Sequence, residues 1–435
     1  MNNYTESKTF CPVPFMSTMV DTNQQLRFCC IADGPDNEIK VDQTYAFAGK
    51  TKLIDAFNSP HMKEVRRKLC NGEKVDGCSK CYYQEEVLKQ NSSRTHTALE
   101  HKGLLGEEGY HKRIQSIIDN DFESDIGPVH LDLRLGNLCN LQCRMCNPHA
   151  SSQIAKEHFE LFDNNDRYRK FWINGTGDAL DYLKIKNEWY ESDFLWDEII
   201  SFIPNLTKVY MTGGEPTLVK GNFKFMQKCI DMGYADKIYL SFNCNCTNIN
   251  SKFLKLISQF HWVSINASLD GVGKTTEYQR YPSDWNTQVK NLTSFAKLSN
   301  VELIITPVLT LYNVLEPDRI IEFAKQFSIE HNRPVKMDYL YDTTKVFSPT
   351  ILPLEYRKPI AERVKPWLDD EWVNSSELTL NAIGTLIGLL ETETMEDYKE
   401  CLEQFKAITE IYDESRNQNF KETFPELYKI IYETI

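Results

Sequence analysis

His130-Leu131-Asp132-Leu133-Arg134-Leu135, followed after three residues by Cys139-Asn140-Leu141-Gln142-Cys143-Arg144-Met145-Cys146, is the stretch on which the reading of this chain turns. The first part alternates apolar and polar side chains at the period of a strand. The second is a CxxxCxxC loop beyond that strand's C-terminal end. Three thiolates on one short loop can hold three irons of a 4Fe–4S cube, because soft sulfur ligands suit iron–sulfur clusters. No fourth cysteine lies close in sequence, so one iron would be left for a ligand that is not protein. Zinc is the other reading of such spacing, with His149 near enough in sequence to be its fourth ligand.

Composition narrows the class. A length of 435 residues allows one large domain with appendages, or two to three domains. With 23 Phe and 21 Tyr there is ample core material. No apolar run approaches a membrane span and residues 1–10 have no signal-peptide core, so a cytoplasmic location without membrane contact is expected. Thirteen cysteines in a reducing compartment point to metal ligation rather than disulfides. The net charge of −13, with no prominent Lys/Arg cluster, argues against an extended nucleic-acid surface.

Six strand-like runs follow one another, separated by helix-like stretches: His130–Leu135, Lys208–Thr212, Lys237–Asn243, Trp262–Ser268, Leu303–Leu309 and Val335–Leu340. Such alternation predicts parallel βαβ units, whose chemistry gathers on loops after the strand ends. Met211-Thr212-Gly213-Gly214-Glu215-Pro216 follows the second run, and two glycines there let backbone approach a ligand closely. Phe242-Asn243-Cys244-Asn245 ends the third. Ser268-Leu269-Asp270-Gly271 and Tyr278-Gln279-Arg280-Tyr281 follow the fourth. Plain turns account equally well for a Gly-Gly or an Asp-Gly pair taken alone.

Taken in order, the CxxxCxxC loop, the Gly213-Gly214-Glu215-Pro216 segment and the Ser268-Leu269-Asp270-Gly271 segment strongly resemble the radical S-adenosylmethionine (SAM) enzymes. The resemblance implies an α/β fold, a partial (β/α)6 TIM-type barrel. It implies that Cys139, Cys143 and Cys146 hold a 4Fe–4S cluster whose open iron takes the amino and carboxylate groups of SAM. One electron then cleaves SAM to methionine and a 5′-deoxyadenosyl radical. By the same resemblance Gly213, Gly214, Glu215 and Pro216 meet the methionyl ammonium, and Asn243 approaches the ribose. Ser268 and Asp270 would bond ribose or carboxylate, and Arg280 would pair with the carboxylate, for which its planar fork is suited. Met145 would meet adenine, with Thr306 and Val308 as further lining. A reductant such as flavodoxin or ferredoxin is implied as a partner.

A second cysteine set precedes the barrel: Cys11, Cys29-Cys30, Cys70, and the CxxC of Cys78 and Cys81. It resembles the twitch and SPASM modules, which hold auxiliary 4Fe–4S clusters in many radical SAM enzymes. Here the set suits one cluster and stands before the barrel, whereas the module follows it in the best-known members. Cys11, Cys78 and Cys81 are the leading ligands. Cys29 and Cys30 point to opposite faces of an extended strand, so only one reaches the cluster, and Cys29 is preferred. Cys70, in a basic helical stretch, is read as structural, and a zinc ribbon is the alternative for the whole set. Cys229 is read as core, and Cys244 and Cys246 as buried thiols, though either could in principle donate a hydrogen atom.

The expected organisation is an N-terminal twitch-like module over 1–95, a helical linker over 96–127, the barrel over 128–345 and a helical extension over 346–435. Within the barrel, the aromatics from Tyr168 to Trp196 suggest an extra packed helix. The extension, with helices over Glu355–Trp367 and Thr394–Arg416 and a closing helix near Pro425, is expected to cap one barrel end. The function expected is radical SAM oxidoreduction on a peptide or protein. The alternatives are the same chemistry on a small polar metabolite or nucleotide, and a non-catalytic iron–sulfur or zinc protein. The resemblance specifies the radical generator and leaves the substrate open.

Overall fold

Alternation at period two places Leu131 and Leu133 on one face of a strand and His130, Asp132 and Arg134 on the other. The computed structural model of the chain describes residues 4–34, 37–86, 92–172, 189–341 and 344–435. Its strands are β1 (Ser17–Val20), β2 (Leu26–Arg27), β3 (His130–Arg134), β4 (Gln142–Cys143), β5 (Lys208–Thr212), β6 (Tyr239–Cys244), β7 (Trp262–Ala267), β8 (Arg280–Tyr281), β9 (Val301–Ile305) and β10 (Val335–Met337), besides one small hairpin. All six expected strands are present. The described residues form two compact units, one of 1–137, 187–242 and 259–263, the other of 138–186, 243–258 and 264–435.

In the first unit β5 lies between β3 and β6 in parallel register, with Leu131 beside Val209 and Met211 beside Phe242. β1 adds in parallel to the other side of β3, Met19 opposite Asp132, and β2 closes that edge antiparallel. The N-terminal residues therefore extend the same sheet. On one face Leu131, Leu133, Val209, Met211, Leu240 and Phe242 are fully buried. The other face carries Asp132, Arg134, Tyr210 and Ser241. In the second unit β9 and β10 pair in parallel. Thr306 N–H bonds Ala267 O at 2.9 Å, and Ser268 N–H bonds Cys244 O at 2.9 Å. The architecture is mixed α/β with parallel strands.

The C-terminal residues are helical, as expected: Leu354–Val364, Glu377–Glu391, Tyr398–Arg416 and Pro425–Lys429. Within the aromatic insertion, Asp166–Trp172 and Asp193–Ser201 are helices, and residues 173–188 lie outside the described residues. Among the described residues no helix is long and apolar enough to cross a membrane.

Arg66 ties the N-terminal segments together. It is fully buried, and its guanidinium donates to the carbonyls of Pro14 (2.8 Å), Phe57 (2.8 Å) and Phe122 (2.7 Å) while lying 4.2 Å from the Phe57 ring centroid. Burial lowers its pKa to about 9, so it stays charged at neutral pH. Arg66→Met leaves three buried carbonyls without that donor, at about 1–3 kcal/mol each. A loss of about 3 kcal/mol or more is expected, seen as a clear fall in the calorimetric Tm. An unchanged Tm would show that these bonds contribute little.

Candidate functional site

The CxxxCxxC loop is held by groups lying between its thiols. Cys143 on β4 stands opposite Arg280 on β8, and the next amide, Arg144 N–H, bonds Gln279 O at 2.8 Å. Ser151 caps the Ser152–Asn164 helix and donates to Leu141 O at 2.7 Å. The Ser152 hydroxyl accepts from Cys139 N–H at 3.2 Å. Asn140 accepts from Asn245 Nδ2 at 2.9 Å and donates to Thr247 Oγ1 at 2.8 Å. Beyond Cys146, the Asn147 side chain accepts from the amides of His149 and Ala150, turning the chain into the helix. Met145 is half-buried beside these contacts.

Burial pushes the Cys143 thiol up, against the pull of the Arg280 charge. Burial and then the Cys139 thiol push Cys146 up to about 12. Both are neutral at pH 7 until a cation displaces their protons, as metal binding does. Arg280 is 8% exposed and Asp270 1% exposed, and Arg280 Nε lies 2.6 Å from Asp270 Oδ2. Nη2 donates to Oδ1 at 2.8 Å, and Oδ1 also accepts from Val308 N–H at 2.9 Å. The two residues assigned to separate ligand contacts thus grip each other. Arg280 Nη1 lies 4.0 Å from Cys143 Sγ, where its charge favours a thiolate.

Gly213–Pro216 belong to the first unit. Gly213 has φ +110°, and a Cβ there would lie 2.8 Å from Gly136 O. Gly214 N–H bonds the same carbonyl at 3.0 Å. The first glycine is needed because β3 and β5 end against each other, whatever ligand comes near. Glu215 is 2% exposed and accepts from Thr217 N–H (3.2 Å) and Oγ1 (2.6 Å), capping the short Pro216–Leu218 turn. Asn243 and Ser268 are half-buried in and just beyond the C-terminal ends of β6 and β7. Cys244 and Cys246 are fully buried, as a structural role requires.

Cys11, Cys29, Cys30, Cys78 and Cys81 all line one cavity of about 80 Å³ in the first unit, with Asp132, His130 and Arg94 on its walls. Burial and then Cys78 push Cys11 up; burial and then Cys81 push Cys78 up to about 11. Cys30 is pushed up first by its hydrogen bond with the Cys29 thiol. Cys29 Sγ accepts from Ile31 N–H at 3.4 Å, and buried Asn37 bonds Cys29 N–H and the carbonyls of Cys29 and Ala32. Cys70 packs instead among Phe15, Met16, Tyr110 and Ile114.

Among the described residues no three His, Cys, Asp or Glu groups gather closely enough for a single metal ion. Sequence reading passed over Arg144, Asp413, Tyr278 and Tyr312. The signal it had was a charged residue inside the cysteine motif, which on a buried loop calls for a partner.

No family model matches the chain. Uncharacterized protein MJ0907 of Methanocaldococcus jannaschii is 24% identical over 225 residues, 49% of this chain and 66% of that protein. Several solved structures are similar at a low level. They include anSMEcpe with bound AdoMet (16% identity, 57% of this chain and 62% of that one, TM-score 0.39). SuiB of Streptococcus suis bound to S-adenosylmethionine is 14% identical, over 76% of this chain and 63% of that one, at TM-score 0.34. SuiB bound to the precursor peptide SuiA is 12% identical, over 91% and 73%, at TM-score 0.33.

Removing one partner of the buried Arg280–Asp270 pair strands the other charge. Arg280→Met is expected to destabilise the chain by about 3–5 kcal/mol. Adding Asp270→Leu should recover part of that in denaturant unfolding. A double variant no more stable than the single one would contradict the pairing.

Proposed function

We propose that the chain is a radical SAM enzyme acting on a peptide or protein, with a second, auxiliary cluster. The observation that carries the reading is the Cys139–Cys143–Cys146 loop. Its thiols are buried or half-buried, and a guanidinium lies beside the middle one. With an iron–sulfur cluster and SAM in place, the site would supply a 5′-deoxyadenosyl radical for abstracting a hydrogen atom from substrate. Cys139, Cys143 and Cys146 would hold the irons, and the Arg280 charge would favour the thiolate at Cys143. Gly213, Gly214, Glu215 and Pro216 would receive the SAM ammonium, with Asn243 and Ser268 toward the ribose and Met145 toward adenine. Asp270 then acts by orienting Arg280.

For the auxiliary cluster, Cys11, Cys78, Cys81 and Cys29 form the proposed set. The Ile31 amide on Cys29 Sγ favours Cys29 over Cys30, because an N–H donor stabilises thiolate. Residues 1–95 would form this module, 96–127 the helical linker, 128–345 the barrel and 346–435 the extension. The substrate class rests on the resemblance to twitch and SPASM relatives.

Anaerobically reconstituted protein should carry about eight irons, four for each of two cubes. Changing Cys139, Cys143 and Cys146 together to Ala should remove about half of them and end 5′-deoxyadenosine formation with dithionite. Persistent cleavage in that variant would refute the assignment. Cys78→Ala with Cys81→Ala should preserve SAM cleavage and impair product formation; stoichiometric zinc in place of iron at that set would defeat the auxiliary-cluster reading.

Glu215→Ala should weaken SAM binding about tenfold or more, since a hydrogen bond to a charged group contributes about 1.5–3 kcal/mol, while iron content survives. An unchanged SAM dissociation constant would sink the role given to that loop.

A further inference from the structure

The residue between Cys143 and Met145 is an arginine with no solvent exposure on its side chain. Every polar end of that guanidinium is engaged. Nη2 donates to Asp413 Oδ1 at 2.5 Å and to Gln418 Oε1 at 2.9 Å. Nη1 reaches Tyr312 OH and Nε reaches Tyr278 O, both at 3.3 Å. The plane lies 3.8 Å from the Tyr278 ring centroid, with Tyr312 and Tyr412 at 5.4 and 5.7 Å.

Asp413 is as fully engaged as its partner. Its Oδ1 also accepts from Tyr278 OH at 2.6 Å, and Oδ2 accepts from Phe420 N–H at 2.6 Å. It sits near the end of the Tyr398–Arg416 helix, whose Thr409 bonds Tyr312 OH at 2.8 Å. The same helix is fixed a second time, Arg416 pairing with Glu157 on the helix that the cysteine loop runs into. Asp413 carries the counter-charge among these partners of Arg144, and breaking a buried ion pair costs more than losing a neutral hydrogen bond. The position of Arg144, and with it the backbone of Cys143 and Cys146, follows from that of Asp413.

We infer that Asp413 is a positioning residue for the cysteine loop: through Arg144 the C-terminal helix sets the placement of Cys143 and Cys146. It touches no thiol itself. The C-terminal extension is in this sense part of the site, supplying a carboxylate that neutralises the loop's buried charge. The consequence for iron rests on the radical SAM reading; the consequence for the thiols does not.

The test uses the full chain without metal. Asp413→Asn keeps the side-chain shape and an oxygen for Tyr278 OH, and removes both the charge and the acceptor of Phe420 N–H. Alkylation by iodoacetamide, followed cysteine by cysteine by mass spectrometry, should proceed about tenfold faster at Cys143, the effect of losing a charge-assisted hydrogen bond. Cys401, buried on the same helix, and Cys229, buried in the other unit, should keep their rates. Arg144→Met alone cuts the same link and should raise the Cys143 rate to a similar extent, with the double variant no faster than either single one. An unchanged Cys143 rate in Asp413→Asn overturns the proposal. So does an equal rise at Cys401, which would mean that the helix has come loose, or a double variant in which the effects of the two substitutions multiply. After anaerobic loading, Asp413→Asn should also lose up to about half its iron and alter the electron paramagnetic resonance signal of the reduced protein, about four irons belonging to this loop. Normal iron and an unaltered signal, in a wild type that does load, would overturn the proposal. If the Cys143 rate rises as expected while even the wild-type protein takes up no iron, the positioning role stands and the radical SAM reading falls.

Discussion

A guanidinium removed from water must have its N–H groups met in the same dry place; backbone carbonyls do this for Arg66, and carboxylates do it in the two pairs that hold the cysteine loop in position. Arg144 with Asp413 fixes the loop from the C-terminal helix, and Arg280 with Asp270 fixes it from β8. The thiols cannot do this for one another. Neutral, they are weak hydrogen-bonding groups; ionised, they repel. Geometry among Cys139, Cys143 and Cys146 therefore comes from Asn140 and Arg144 between them and from Asn147, Ser151 and Ser152 just beyond, each bonding backbone or side chains at a separate point.

The sheet of the first unit shows a related division. Parallel strands covered on both sides usually read as continuous apolar runs. Here Leu131, Leu133, Val209, Met211, Leu240 and Phe242 cover one face only, and Asp132, Arg134, Tyr210 and Ser241 occupy the other. Burial raises the Asp132 carboxyl, and Arg134, bonded to it at 3.3 Å, pulls the other way. A face so polar gains nothing for the core, and Asp132 and His130 from it line the five-cysteine cavity. Because β1 and β2 add to β3, Cys29 and Cys30, just beyond β2, reach the cavity from an edge of the same sheet, whereas Cys78 and Cys81 come to it from helical turns.

The strands were legible because alternation is a local property. Lys208–Thr212 begins and ends where its pattern does. Val301–Ile305 starts and stops earlier than the Leu303–Leu309 pattern, because Pro307 has no N–H to continue a ladder. β1 was not read as a strand: its four residues are all buried and show no alternation. The Glu377–Glu391 helix was hidden by Gly384 and Gly388, which weaken a helical reading of its sequence. At the site, cysteine spacing and glycine pairs could be read directly. The Arg144–Asp413 pair could not, since nothing near Asp413 marks it as the partner of a residue 269 positions away. Asp270 and Arg280 could each be singled out in the sequence, but their grip on each other depends on β8 folding back against β4.

The same burial that holds the loop sets opposite pH responses for the empty and the loaded chain. Cys143 and Cys146 have raised pKa values in the folded state, Cys146 to about 12, chiefly through burial. The neutral thiol is the form that folding favours, so this contribution to stability is complete below the ordinary thiol pKa of about 8.5 and is lost as pH rises through the folded value. A metal or cluster requires thiolates, and each proton it displaces makes binding stronger as pH rises. Arg280 beside Cys143 reduces that conflict without removing it, because its charge favours the thiolate while Asp270 keeps the guanidinium itself compensated. A loop built in this way is stable when empty at neutral pH, and the guanidinium beside Cys143 lessens, without reversing, the cost of ionising that sulfur.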